Sequence, residues 1–264
     1  MTLHIAVLGL GEAGSIYAAD LASRGASVVG TDLHVAVAAP GVRIQPDIAS
    51  AVRDADLVLS LVGAGSAASV LTGALPAMAS AALYADMNTS GPDNKRALAE
   101  VAAARGIRFV DVAILAPVTR ARIDTPLLVS GPGVAALQPL LTQLRIPAMD
   151  VGSDAGAAAS RKLLRSVFMK GLAAVVIESV TAAQAFGAEA WVVDQIASEL
   201  GAAGDEAVRH LIDGTTKHAV RREAEMIEVR DLLDELGAAH PMTDGTIQWL
   251  RALASQASAP EDRG

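Results

Sequence analysis

Cysteine is missing from this chain, which removes disulfide bridges, thiolate nucleophiles and thiolate-bound zinc. Aromatic residues make up only 3%, so Ala, Val and Leu must fill the core, and few rings are left to stack on bases. Basic charge is in deficit. The 21 Lys and Arg against 29 Asp and Glu leave a net charge of −8, which argues against nucleic acid as a partner. Gly, Pro or a charge breaks every apolar run before it reaches membrane-span length. No basic segment precedes the first apolar run, so a secretory signal is not expected. His4, His34, His210 and His240 share no metal-ligand spacing, and no metal is expected. A phosphate-binding lysine loop and a serine-hydrolase elbow are also lacking. The expectation is a cytoplasmic protein without nucleic-acid or membrane partners.

What the chain does have is core-forming material. In 264 residues, 52% are hydrophobic and 19% charged, enough for one large domain or two ordinary ones. An apolar run from His4 to Leu8 breaks into Gly9-x-Gly11-x-x-Gly14 and then into a helical pattern. A second apolar run, 27–31, ends on Asp32, about 20 residues beyond the glycines, as a dinucleotide-binding unit requires. In such a unit Gly9 allows the tight turn and Gly11 lets backbone approach a pyrophosphate. Gly14 lets the helix pack close to the strand. The helix N-terminus offers N–H groups and a positive dipole end to phosphate. Asp32 would accept from the adenosine ribose hydroxyls and repel a 2′-phosphate, so NAD is expected in preference to NADP.

Strand and helix patterns alternate through the first half, the signature of a parallel sheet with crossover helices. Strands are expected at 56–62, 83–87, 107–113, 126–130 and 148–151, and helices at 47–52, 66–78, 93–105 and 134–144. The stretch after Asp32, with Pro40, Gly41 and Pro46, reads as loop. The character then changes. Residues 155–186 contain no Pro, and Gly187 can end a helix about 48 Å long. Further helices are expected at 190–200, 205–212, 214–236 and 244–255, with a fraying tail from Ser258. The fold class is therefore an α/β Rossmann domain, residues 1–151, followed by an all-α domain, residues 152–264, for substrate binding and dimerisation. The long helix exceeds what so small a domain needs for its own core. Its apolar far end, 175–186, suits a homodimer contact.

Three further motifs resemble the β-hydroxyacid dehydrogenase superfamily, which includes 6-phosphogluconate dehydrogenases and imine reductases. They are Asp86-Met87-Asn88-Thr89-Ser90-Gly91-Pro92, Val110-Asp111-Val112-Ala113 with 125–131 downstream, and 156–166. The resemblance implies cofactor contacts from Gly9, Leu10, Gly11, Glu12, Ala13, Gly14, Asp32, Val62, Asn88 and Thr89. It implies a catalytic lysine at Lys162, six residues after Gly156, and a substrate site beyond the carboxyl ends of the strands, between the domains. Two positions depart from the pattern. The substrate-binding serine falls on Leu115, and the catalytic-helix asparagine on Ser166. Thr119 stands near enough in sequence to offer a hydroxyl in place of that serine.

Lys162, Ser166 and Lys170 recur every four residues, so a helix projects them from one side. A lysine can accept and return the hydroxyl proton during hydride transfer. Ser166 can orient a substrate hydroxyl or bond a helical carbonyl. Arg165 and Lys170 can pair with a substrate carboxylate or serve as structural ion pairs. His218 and Arg222 can reach the site of a partner subunit, or belong to a solvated face on which Arg221 pairs with Glu225. The expected activity is hydride transfer between a nicotinamide cofactor and a small hydroxy acid or related carbonyl. Imine reduction on the same fold, or NAD sensing without turnover, are the alternatives.

Overall fold

The computed structural model describes residues 2–34 and 39–257, and the tail from Ser258 lies outside them. The chain divides into two compact units, Met1–Lys162 and Leu163–Gly264.

The first unit is built on an eight-stranded sheet. Its strands are β1 (His4–Leu8), β2 (Ser27–Thr31), β3 (Val42–Ile44), β4 (Leu57–Ser60), β5 (Leu83–Asp86), β6 (Arg108–Ile114), β7 (Leu127–Ser130) and β8 (Ala148–Asp150). The spatial order is β3-β2-β1-β4-β5-β6-β7-β8. The chain runs outward from β1 to β3, then returns to lay β4 on the other side of β1. That reversal is the switch point at which open α/β sheets bind ligands, beyond the carboxyl ends of the strands. The helices are α1 (Glu12–Ser23), α2 (Ile48–Val52), α3 (Ala64–Ala74), α4 (Pro92–Ala103), the short α5 (Val118–Ala121) and α6 (Val134–Leu144).

Alternation along the strands explains the two cores. Ile5 and Val7 of β1 join one buried cluster with Leu57, Leu59, Leu83 and Val110. Ala6 and Leu8 join the other with Val58, Tyr84 and Phe109. Successive side chains point to opposite faces. A sheet covered on both faces therefore needs unbroken apolar runs, and these made the strands readable.

Three local features depart from the sequence expectation. The loop after Asp32 contains β3, a short edge strand paired in parallel with β2 through Val28 and Val42. The sheet is mainly parallel, as expected, but its β6–β7 pair is antiparallel, with Asp111 opposite Ser130. The helix expected over 214–236 is broken at His218, between α9 (Gly204–Lys217) and α10 (Ala219–Glu235). Thr215 and Thr216 turn their hydroxyls back onto the carbonyls of Leu211 and Ile212, which weakens the ladder there.

The second unit is helical, with α8 (Glu189–Glu199), α9, α10 and α11 (Pro241–Ala257) beside α7 (Ala157–Phe186), whose first residues belong to the first unit. Leu163 packs with Met226, Val229, Leu233 and Leu250 of α10 and α11. Ala173, Val176 and Val180 pack with Ala197, Val208 and Leu211 of α8 and α9. None of the described helices is long and apolar enough to cross a membrane.

Candidate active site

The three glycines do different work. Gly9 has φ +91°, and a Cβ there would stand 2.5 Å from Leu61 O. The turn therefore needs glycine for conformation and for space. A Cβ on Gly14 would fall 1.9 Å from Gly9 O, so α1 lies directly against the turn. A Cβ on Gly11 would meet nothing within 4 Å. Gly11 is also the N-cap of α1, and no side chain caps that helix. Open space beside an uncapped helix start fits a pyrophosphate. Leu10, Glu12, Ala13 and Gly14 continue this loop into the first turn of α1.

Asp32 stands just past β2. Its Oδ2 accepts from the Leu10 amide at 2.7 Å, and its Oδ1 accepts from the His34 amide at 2.8 Å. The carboxylate therefore ties the glycine loop to the end of β2, the position from which a ribose is recognised. Beyond β4 come Val62 and Gly63, whose amide donates to Asn88 Oδ1 at 2.7 Å. Asn88 Nδ2 donates to Ser60 Oγ and Asp86 Oδ2. Gly9, Asp32, Val62 and Asn88 thus stand at the carboxyl ends of β1, β2, β4 and β5, around the switch point.

Behind Asn88 lies a buried charge cluster that sequence reading missed. Lys95 is 1% exposed, and its Nζ donates to Asp86 Oδ1 at 2.6 Å and to Asp86 O at 3.0 Å. Asp111 Oδ1 lies 3.2 Å away, a charge contact without hydrogen-bond alignment. Asp111 Oδ2 accepts from the Ala159 amide at 3.0 Å, and Ser130 Oγ accepts from the Ala158 amide at 3.0 Å. Two side chains from β6 and β7 thereby hold the start of α7. Gly156, at φ +92°, lets that start pack against Pro92. The missed signal was available. Pro92, Lys95, Leu98, Ala99 and Ala102 form the buried face of α4, and a lysine in an apolar stripe needs a partner.

Lys162 Nζ donates to Thr89 Oγ1 at 3.0 Å. Leu115 follows β6 and packs against Ala113, Leu128 and Ala158, an apolar role suited to its side chain. Thr119 is exposed on α5.

In the second unit Ser166 is 2% exposed and donates to Glu225 Oε1 at 2.6 Å. Lys170 donates to Ser166 Oγ at 3.0 Å and to Glu225 Oε1 at 2.8 Å. Burial pushes the Lys170 amine below its ordinary range, against the opposing pull of Glu225. Glu225, read from sequence as a helical partner of Arg221, is thus the acceptor for two candidate residues. Arg222 donates to Thr215 Oγ1, and burial pushes its guanidinium down. Arg165 is exposed, and His218 sits at the break between α9 and α10.

Residues 4–144 match the family described as the NAD binding domain of 6-phosphogluconate dehydrogenase, and residues 183–253 match a domain family of unknown function. A conserved hypothetical protein from Sinorhizobium meliloti 1021 has a crystal structure similar at TM-score 0.75 and 29% identity, over 100% of this chain and 91% of its own. The 3-hydroxyisobutyrate dehydrogenase of Pseudomonas aeruginosa is 30% identical over 183 residues, 64% of this chain and 61% of its own. An imine reductase from Myxococcus stipitatus, solved with NAD+, shares the fold at TM-score 0.68 and 17% identity, over 98% of this chain and 95% of its own.

Proposed function

This chain belongs to the family of the NAD-binding domain of 6-phosphogluconate dehydrogenase, and on that premise we propose that it transfers a hydride between NAD and a small hydroxy acid. Family and fold support an oxidoreductase of the hydroxyacid-dehydrogenase or imine-reductase type, and the finer assignment rests on Lys162. Its amine, hydrogen-bonded to Thr89, neighbours the turn after β5 in a fold whose ligands bind at strand ends.

The residues divide the work. The amides of Gly11, Glu12 and Ala13 bind the pyrophosphate, and Gly14 holds α1 close enough for them to do so. Leu10 and Val62 flank the cofactor. Asp32 binds the adenosine ribose and selects NAD. Asn88, held by Gly63, Ser60 and Asp86, orients the nicotinamide end together with Thr89. When bound, the nicotinamide supplies or accepts the hydride. Lys162 takes the hydroxyl proton as an alcohol is oxidised and returns it in the reverse direction. Leu115 and Thr119 face the substrate from the loop after β6. In the second unit, Arg165, Ser166 and Lys170 are the residues proposed to meet a polar group of the substrate.

Imine reduction is the second reading, favoured by the apolar packing of Leu115. Retention of Lys162 favours an alcohol. The protein is further proposed to act as a homodimer. Phe168, Val175 and Phe186 of α7 are 67%, 48% and 87% exposed, an apolar line that a second copy would cover. His218 and Arg222 would then serve the partner's site. Sedimentation at micromolar concentration tests the assembly, and a monomer would refute it. Activity is tested by NAD+ and NADP+ reduction with 3-hydroxyisobutyrate and related hydroxy acids, and by NADH and NADPH oxidation with cyclic imines. Turnover on hydroxy acids alone is expected. Turnover on imines alone replaces the first reading with the second. Tight NADH binding without turnover identifies a sensor.

A further inference from the structure

Lys95 carries its charge away from solvent. Its side chain is 1% exposed, and the side chains of Asp86 and Asp111 are fully buried. Three ionisable groups in a dry site are costly unless each charge is paired and hydrogen-bonded. The reaction ascribed to Lys162 uses none of them as acid or base.

Their bonds lead in two directions. Asp86 accepts from the backbone and side-chain nitrogens of Asn88, and Asn88 in turn holds the Gly63 amide. Asp111 accepts from the Ala159 amide and, with Ser130, occupies the first amides of α7. An anion there complements the positive end of the helix. Lys162 lies less than one turn beyond Ala159. An ammonium has three donors, and Lys95 directs them at Asp86 Oδ1, Asp86 O and the neighbourhood of Asp111 Oδ1. An apolar side chain of the same length would fill the space without joining β5 to β6 at chosen atoms.

We infer that Lys95 is a positioning residue, which holds Asp86 and Asp111 together and thereby sets the Lys162–Thr89 contact against the turn that carries Asn88. It touches no reacting atom. The inference rests on the assignment of Lys162 as the acid–base group.

Two variants test it. Lys95→Met removes the cation at similar length. Lys95→Met with Asp111→Asn removes one anion as well, which restores the wild-type net charge of the site. Both are compared with wild type by trace acetylation, reading Lys162 against the exposed Lys217, and by amide hydrogen exchange. Neither measurement needs cofactor or substrate, so the outcome is separable from whether wild type binds NADH or turns over.

The expected result is a Lys162:Lys217 labelling ratio raised threefold or more. Exchange at Ala158 and Ala159 should quicken tenfold or more, with the amides of α1 unaltered. If the single variant does not fold, the double variant carries the same expectation. An unchanged ratio in a folded variant overturns the inference. So does exchange that quickens equally in α1 and α7, or failure of both variants to fold, since either would make Lys95 a general structural residue.

Discussion

Lys162 Nζ donates to Thr89 Oγ1 at 3.0 Å, which joins the start of α7 to the turn after β5. The Thr89 hydroxyl gives the amine a fixed direction from the first turns of α7. Lys162→Met keeps the apolar stem and the helix propensity. It is expected to bind NADH within threefold of wild type and to lose turnover by about 10²–10⁴. Steady-state rates on the hydroxy acid found by screening decide the matter, and near-native turnover removes Lys162 from the mechanism.

Gly11 and Gly14 should respond oppositely to the same substitution. Gly11→Ala adds a methyl in open space, so it is expected to cost under about 1 kcal/mol while weakening NADH binding tenfold or more. Gly14→Ala drives a methyl into Gly9 O and is expected to cost about 3 kcal/mol. Denaturant unfolding and fluorescence titration of the two variants check the contrast. A Gly11→Ala protein with native NADH affinity would place the pyrophosphate elsewhere.

Asp32 should set the cofactor preference. A carboxylate held by the Leu10 and His34 amides is preset to accept from ribose hydroxyls. Charge-assisted hydrogen bonds contribute about 1.5–3 kcal/mol, so NADH is expected to bind roughly tenfold to a hundredfold more tightly than NADPH. Asp32→Asn should close most of that gap. Parallel titrations measure both, and tighter NADPH binding by wild type contradicts the assignment.

Arg122 has φ +52°, a region that favours glycine. Its guanidinium spans both oxygens of Asp20, whose Oδ2 also accepts from the Ile123 amide. The pair holds a strained backbone at the end of the loop that carries Leu115 and Thr119. Arg122→Gly loses the pair but relieves the strain, whereas Arg122→Ala loses the pair and keeps the strain. The Gly variant is therefore expected to melt a few degrees above the Ala variant. The reverse order would show that strain is not stored there.

His240 lies between Asp234 and Asp244, with Nε2 2.9 Å from one carboxylate and Nδ1 3.0 Å from the other. The hydrogen bond to Asp234, with that to Asp244 and the two negative charges, holds the imidazole above its usual range. The stability it contributes is fully present below the unfolded value of about 6.5. It is lost as pH rises through the higher folded value. His240→Gln is therefore expected to lower the melting temperature more at acid than at alkaline pH. A deficit that is the same at both ends would show that the imidazolium contributes nothing.

Much of the first unit was legible because local chemistry dictates it. Apolar runs such as His4–Leu8 are what a two-faced sheet requires. Gly9, Gly11 and Gly14 stand between an apolar run and a helical pattern, with Asp32 about 20 residues on, and the absence of Pro from 155–186 allowed α7 to run on. Gly9 and Gly14 are constrained by backbone contacts within their own unit, so their roles could be argued before any partner was known.

What remained hidden depends on atoms distant in sequence. β3 becomes a strand because β2 offers it a hydrogen-bonding edge, and no pattern in three residues announces that. The antiparallel direction of β7 appears only in its pairing with β6, Asp111 opposite Ser130. Lys95 falls in the apolar stripe of α4, which calls for a partner without naming it, and Glu225 reads locally as half of a helical pair. Burial decides otherwise, because a charge withdrawn from water must find its counter-charges wherever the fold has brought them. Residue types, periodicity and the glycine turn were therefore determined by the sequence alone. Which carboxylates meet Lys95, and where Lys162 rests, were decided only when tertiary packing removed the water around them.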